Sequence, residues 1–307
     1  MMKRIIMRLL TLTFLSLMSA TVLAGEVDKR LDAASDGVVS ISNISGTIEV
    51  TGWSRNEVEV TGDLGKDVAD LIFERDGNEI KIKVRPPKDE DPDEDGYHHR
   101  GHSISSDLVI NVPVKSTIEI VGVSTDINIQ NILGEQHVQS VSGDIESEIR
   151  AADVEIQTVS GDVEVQGDDV AGHCQLGSVS GDVEAQNLAG IVVADTVSGD
   201  LTIVNSSFER VKMKTVNGDV IFDSGLSDGG SFGLQTHNGD ADIKFTDGIS
   251  ARFSIETFNG DINNCFGPEP VEVSEHMPGA ELKFKEGKGE GRVTIHTFNG
   301  DLRLCKD

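Results

Sequence analysis

Aromatic residues are scarce in this chain: one Trp, one Tyr and 11 Phe among 307 residues. Sugar-binding sites commonly offer flat aromatic faces, so this scarcity speaks against a lectin built on ring stacking. Basic residues are also few, with 26 Lys and Arg against 53 Asp and Glu and a net charge of −27. A surface of that sign repels nucleic acid and anionic lipid, and nucleic acid is not expected as a partner. It suits cations, basic partners or simple solubility. Only seven prolines punctuate the chain, whereas glycine occurs 33 times. That balance indicates β-structure with many turns.

Long apolar runs are confined to the segment that ends at Ala24. Lys3, Arg4 and Arg8 precede a nearly uncharged stretch from Leu9 to Ala24 that ends Val22-Leu23-Ala24. This is the layout of a secretory signal cut after Ala24. The expected mature chain is exported, periplasmic or extracellular, and has no transmembrane segment. The only cysteines are Cys174, Cys265 and Cys305. An oxidising compartment permits one disulfide and leaves one thiol over.

What the sequence does have is an internal repeat. Ser-Gly-Asp occurs at residues 142–144, 160–162, 180–182 and 198–200, and Asn-Gly-Asp at 217–219, 238–240, 259–261 and 299–301. Ser124-Thr125-Asp126 is a degenerate earlier copy. The aspartates recur at nearly even intervals until the last, from Asp261 to Asp301, which is about twice as long as the others. Four residues before each Asp stands a hydroxyl, from Ser140 and Thr158 through to Thr297. Six before, and directly after, stand apolar residues such as Ile156 and Val163. Apolar positions alternating on both sides of a turn are the mark of half-buried strands. Each repeat reads as strand, Gly turn, strand and looser loop. A period of roughly 20 residues makes the fold class all-β, a β-solenoid in which each repeat closes one rung. Stacked plain hairpins are the alternative. In the solenoid the hydroxyl column forms a ladder, and Gly161, Gly181 and Gly199 are expected at positive φ.

Residues 25–115 are less regular. Val38–Ser42, Thr47–Val50 and Glu57–Val60 alternate as strands, and Asp76-Gly77-Asn78 sits between two more. This region is read as an N-terminal β-sheet cap, with the repeats spanning 116–307. Residues 86–105 form a polar, acidic loop. Residues 268–291 are irregular and admit two layouts, an excursion from the stack or an additional rung.

The segment Gly46-Thr47-Ile48-Glu49-Val50-Thr51-Gly52-Trp53, the strand ending in Val112-Pro113, the serial Ser-Gly-Asp turns and the closing Thr297-Phe298-Asn299-Gly300-Asp301 resemble the putative-adhesin family of bacterial β-strand-repeat proteins. The resemblance covers nearly all of the mature chain. It implies surface binding, and brings no catalytic motif and no functional residue with it.

The candidate sites follow from the repeat. Asp144, Asp162, Asp182, Asp200, Asp219, Asp240, Asp261 and Asp301 form a column of carboxylates ~4.8 Å apart if they point the same way. Repulsion at that spacing must be relieved by water, by turn N–H groups or by cations such as Ca²⁺. The simplest arrangement has each Asp tie its own turn together, with weak Ca²⁺ binding at most. His98, His99 and His102 lie near Glu94 and Asp95 and are of the types that hold transition metals, on a loop that offers no preformed site. Cys174 falls in an apolar column with Val154 and Val192 and reads as core. Gly287-Lys288-Gly289 lacks the spacing of a phosphate loop. Cys265 and Cys305 each lie four residues after a turn Asp. They pair if 268–291 is an excursion, and stand two rungs apart if it is a rung.

These features point to a protein that is not an enzyme and needs no cofactor: an adhesin-like, envelope-located binder of a protein or polysaccharide. The rivals are an envelope scaffold that engages a protein partner, and a carbohydrate-active enzyme on a β-solenoid. No pair of carboxylates stands apart from the columns as a glycosidase requires.

Overall fold

The computed structural model describes residues 25–87, 104–150, 153–246, 248–274 and 277–307. The expected signal segment and the three loop histidines lie outside them. Every regular element among the described residues is a β-strand.

Two parallel sheets run the length of the molecule, and each rung of chain contributes one strand to each. In the first sheet, residues 38–42 pair with 117–121, which pair with 136–139, 153–157, 171–177, 189–195 and 207–214 in turn. In the second, residues 46–51 pair with 125–130, and onward through 145–149, 163–167, 183–186, 201–204 and 220–223. The register is residue for residue at most positions. Val154 lies on Cys174 and Cys174 on Val192, while Val163 lies on Val183. Alternate side chains from both sheets enter one continuous apolar cluster, and residues such as Ile156, Val165 and Ile203 are fully buried in it. Burying an aliphatic side chain of this size stabilises by roughly 1.5–3 kcal/mol, so the one-sided core is the main force holding neighbouring rungs together. Towards the C-terminal end the core turns aromatic. Phe222 packs on Phe232 and Phe245 with ring centroids 4.7 and 5.6 Å apart, and Phe253 stacks on Phe284 at 4.4 Å. Most of the few aromatic rings are consumed there.

The stack begins earlier than the repeat suggests. Residues 38–53, part of a cap by sequence pattern, form a full rung in register with 117–130. The ends of the sheets are covered by antiparallel strands. Asp70–Asp76 lies on Glu79–Arg85 at the start of the first sheet. Glu57–Leu64 lies on Ser106–Pro113, and Glu26–Asp32 on Glu57–Leu64, at the start of the second. At the far end Met277–Lys285 lies antiparallel on Ala251–Asn259, and Val271–Ser274 on Met277–Lys285. Covering the edges in this way removes open templates for pairing with other chains.

Residues 268–291 are thus an excursion: a hairpin laid over the end of the stack. The last rung departs from chain order, however. Gly291–Asn299 inserts between residues 231–238 and Ala251–Asn259, and Leu302–Lys306 inserts between Ala241–Thr246 and Ile262–Asn264. The segments 257–261 and 297–301 are both Thr-Phe-Asn-Gly-Asp, so either can stack on the rung of Asn238. The antiparallel hairpin against Ala251–Asn259 keeps that earlier rung at the outside. Cys265 and Cys305 are joined in a disulfide, Cα atoms 4.9 Å apart.

The corners explain the glycines differently from expectation. Gly199 and Gly181 are absent from the positive-φ residues, whereas Gly143 and Gly161 are present. What the turn glycines share is close approach: a Cβ on Gly199 would stand 2.1 Å from the Gly181 carbonyl oxygen of the rung beneath. The other corner is tighter than the looser loop expected. Asn131, Asn187 and Asn205 turn it at φ of 56°, 55° and 52°, a conformation Asn tolerates better than most residues.

Gly199→Ala is expected to cost about 1–3 kcal/mol by overpacking. Gly233→Ala, whose added Cβ meets nothing nearer than 3.9 Å, should be neutral or slightly stabilising. Urea unfolding of the two variants checks this, and equal midpoints contradict it.

Cys174 is buried, and desolvation, aided by the charge of Asp153, pushes its thiol up to about 12. Peptide mapping without reductant should recover a 265–305 linked peptide. Cys174 should become alkylatable at pH 8 only after unfolding. Removing the bridge, which closes a loop of 40 residues, should cost ~4 kcal/mol in the chain-entropy account.

Candidate functional site

The turn column is the most regular chemical feature of the molecule. Each rung passes from a buried hydroxyl, through an outward apolar residue, to Ser or Asn, Gly and Asp. Backbone bridges at the Ser or Asn position tie the rungs together from Ser124 to Asn238.

The structure stacks all eight predicted carboxylates, but they do not tie their own turns. Seven of them accept a hydrogen bond from the main-chain N–H of the Asp on the next rung, and Asp261, on the outermost rung, only donates. Asp162 N–H donates to Asp144 Oδ1 at 2.9 Å, Asp182 to Asp162 at 2.8 Å and Asp200 to Asp182 at 2.7 Å. The chain of bonds continues through Asp219 and Asp240. It then follows the inserted rung, Asp301 N–H donating to Asp240 and Asp261 N–H to Asp301, both at 2.8 Å. At the other end Asp126 accepts from Asp144. Asp107, outside the repeat pattern, accepts from both the N–H and the hydroxyl of Thr47. In-register parallel stacking causes this. It brings each carboxylate beside the amide of the rung above, and charge-assisted bonds of this kind are the strong ones. They offset part of the repulsion along the column.

The neighbouring columns follow the same logic. Asn238 Nδ2 donates to Asn217 Oδ1, Asn299 to Asn238 and Asn259 to Asn299, at 2.7, 2.8 and 3.3 Å. The buried hydroxyls do not bond one another as a ladder. Ser178, Thr196 and Thr215 donate instead to the carbonyls of Gly161, Gly181 and Gly199 on the preceding rung, at 3.0, 3.0 and 3.3 Å. Those of Thr158, Thr236, Thr257 and Thr297 are buried without a hydrogen-bond partner.

One column escapes the sequence reading. Three residues before each Asp, a side chain points outward that is apolar on every rung except that of His237. Val123, Val141, Val159, Val179 and Val197 are 44–52% exposed. The column continues through Val216 and His237 to Phe298 and Phe258, 41% and 49% exposed. Its last rings stack face to face, His237 on Phe298 at 4.6 Å and Phe298 on Phe258 at 4.7 Å. The signal is present in the sequence as the residue between the hydroxyl and the Ser or Asn. Its outward direction follows from that of the buried hydroxyl beside it. Alongside the Asp column at the C-terminal end runs a shallow groove of about 470 Å³, lined by Asp219, Asp240, Asp301, Asp261, Ile221 and Arg303. Arg303 pairs with Asp242 at 2.9 Å across its floor.

The other sequence candidates are structural. Lys288 and Gly289 N–H groups donate to Ser250 Oγ at 3.0 and 3.2 Å, so Gly287-Lys288-Gly289 is a turn fastened by a serine. Among the described residues, no group of three or more His, Cys, Asp or Glu side chains is arranged to hold a metal ion. No helix of the described residues is long and apolar enough to cross a membrane.

The geometry is that of an all-β, β-solenoid-like protein with a repeating lateral surface. The family model of Toastrack DUF4097 matches residues 37–304, and the chain belongs to that family. The matched segment opens where the first rung does. No curated protein matches the chain. Among solved structures, a putative adhesin from Parabacteroides distasonis is 10% identical, with 92% of this chain and 97% of that one covered and a TM-score of 0.48. A putative adhesin from Bacteroides fragilis is 12% identical, covering 91% and 96%, with a TM-score of 0.43. A protein from Parabacteroides distasonis described as putative lipid binding is 11% identical, covering 92% and 96%, with a TM-score of 0.43.

Replacing a column carboxylate separates its two roles. Asp182→Asn keeps an oxygen for the Asp200 amide and removes a like charge from the column, so its stability should stay within about 0.5 kcal/mol of wild type. Asp182→Ala removes this charge-assisted bond and leaves the amide to water, which should cost about 1–1.5 kcal/mol. Denaturant midpoints of the two variants decide, and an Asn variant as weak as the Ala variant contradicts the relay.

Proposed function

We propose that this chain is a non-enzymatic, adhesin-like binding protein of the cell envelope, which engages an envelope protein or polysaccharide along its repeating face. The observation that carries the reading is the outward apolar column standing beside the carboxylate column on rung after rung. A surface that repeats the same chemistry at ~4.8 Å intervals suits an extended ligand gripped at many weak points. The repeating rungs, their Ser/Asn-Gly-Asp turns and the antiparallel strands at each end serve as the rigid support. An exported location, with the leader through Ala24 removed, fits the disulfide.

A carbohydrate-active enzyme needs two carboxylates in different environments, one acid and one base. The column carboxylates instead make the same bond to the same group, which favours binding over catalysis. Purified protein incubated with the envelope fraction of its own host should bind saturably and release no reducing sugar from a polysaccharide panel. Sugar release would establish the enzyme, and an absence of saturable binding would remove the envelope-binding reading.

A further inference from the structure

The outward column leaves a line of exposed apolar side chains, Val123, Val141, Val159, Val179, Val197, Phe298 and Phe258, along the described surface. Its valines are held in line by the backbone: Ser160 N–H donates to the Val141 carbonyl, Ser180 to Val159 and Ser198 to Val179, each at 2.9 Å. Nine rungs at ~4.8 Å give a ridge about 38 Å long. Contiguous exposed apolar surface of this kind marks interaction sites. The ridge has two unlike borders. On one side, no more than ~10 Å of chain away, stands the unbroken carboxylate column. On the other stand neutral Gln139 and Gln157 with Asp195 and Lys214 of opposite charge.

Those borders select the occupant. A second copy laid antiparallel, ridge to ridge, would bring another carboxylate column against the first, and in either sense it carries the same net charge of −27. An anionic lipid surface meets the same repulsion. A basic segment gains on both counts, burying apolar side chains on the ridge while its cations reach the carboxylates. The rung spacing selects its conformation. An extended strand repeats same-face side chains every ~6.6 Å, far from ~4.8 Å. A helix repeats a face every ~5.4 Å, so it slips only ~0.6 Å per rung, within reach of flexible Lys and Arg stems.

We infer that the ridge docks an amphipathic helix of a protein partner, with its apolar stripe on the Val/Phe column and Lys or Arg residues along one border facing the Asp column. This rests on the binding reading above and deepens it by naming the partner class. The bond to the next amide uses Oδ1 of each Asp, so Asn can replace Asp without loss of the stack.

The test uses the whole mature protein and a synthetic helical peptide of about 25 residues, the length that spans the ridge at 1.5 Å per residue. Its Leu residues lie on one face, Lys along one border, and Ala and Gln elsewhere. Two controls replace all Lys by Glu or all Leu by Gln. Titration calorimetry should show binding of the first peptide and at least tenfold weaker binding of both controls. The triple variants Val159→Thr/Val179→Thr/Val197→Thr and Asp162→Asn/Asp182→Asn/Asp200→Asn should each melt near wild type and each lose about tenfold. Equal binding of the Leu→Gln peptide would reduce the effect to charge attraction, and equal binding of the Lys→Glu peptide to apolar contact. Either overturns the proposal. So does a concentration-dependent dimer that the Val triple variant abolishes, which would make the occupant a second copy. If wild type and both triple variants retain envelope material equally, helix docking falls while the envelope-binding reading stands. If the peptide discriminates as expected but wild type retains no envelope material, only that broader reading falls.

Discussion

At each Gly turn one rung rests directly on the carbonyl of the rung beneath, leaving no space for a single added carbon. This contact fixes the spacing of everything else. Once the glycines set the backbones at sheet distance, the Asp carboxylate falls beside the next amide, the hydroxyls of Ser178, Thr196 and Thr215 fall over the preceding Gly carbonyl, and the Asn side chains meet in line. None of these bonds is long-lived alone in water. They succeed because neighbouring rungs are already aligned by a core whose aliphatic columns repeat with the same period, so the entropy of ordering is shared among many contacts.

The same constraint makes the charge distribution intelligible. Parallel in-register stacking multiplies any side chain into a column, whether or not the multiplication is favourable. For carboxylates it brings like charges together, and the main-chain amide of the neighbouring rung is the group at hand to receive them. For outward valines it converts a single exposed residue, ordinary on any surface, into an apolar ridge.

The repeating parts of this architecture are legible because they depend on local pattern. Gly with Asp after it, a hydroxyl four residues before the Asp and alternation on either side specify two strands and a corner without reference to the rest of the chain. The direction of the Asp bond is not legible. Whether a carboxylate reaches its own turn or the next depends on the distance between rungs, which no single repeat encodes. Gly199 reads as a positive-φ residue for a related reason: its local sequence is that of a turn, and the requirement comes from Gly181 below it. The Val and Phe column is visible as letters and hidden as a surface, since β-branched residues also suit strands for conformational reasons. Residues 38–53 read as a cap because their turn, Ser45-Gly46-Thr47, lacks the Asp. The stack accepts Thr47 there by bonding it to Asp107.

The order of the last rungs also lies beyond local pattern, since two identical pentapeptides compete for one position. Its consequence concerns how this end of the stack is assembled. A solenoid built in chain order grows like a column of bricks, and trimming the C-terminus takes off the top course. Here residues 291–306, which follow the outer rung in the chain, are an inner course. During synthesis the rung of Asn259 emerges first and finds the surface of Asn238 free, yet it must stand one step away for the final strand to enter. Closure of this end therefore waits for residues 291–306, and the Cys265–Cys305 bond ties the inserted strand to the rung it displaces. Without residues 291–306 there would be a gap inside the wall, with the rung of Asn259 and its covering hairpin left hanging beyond it.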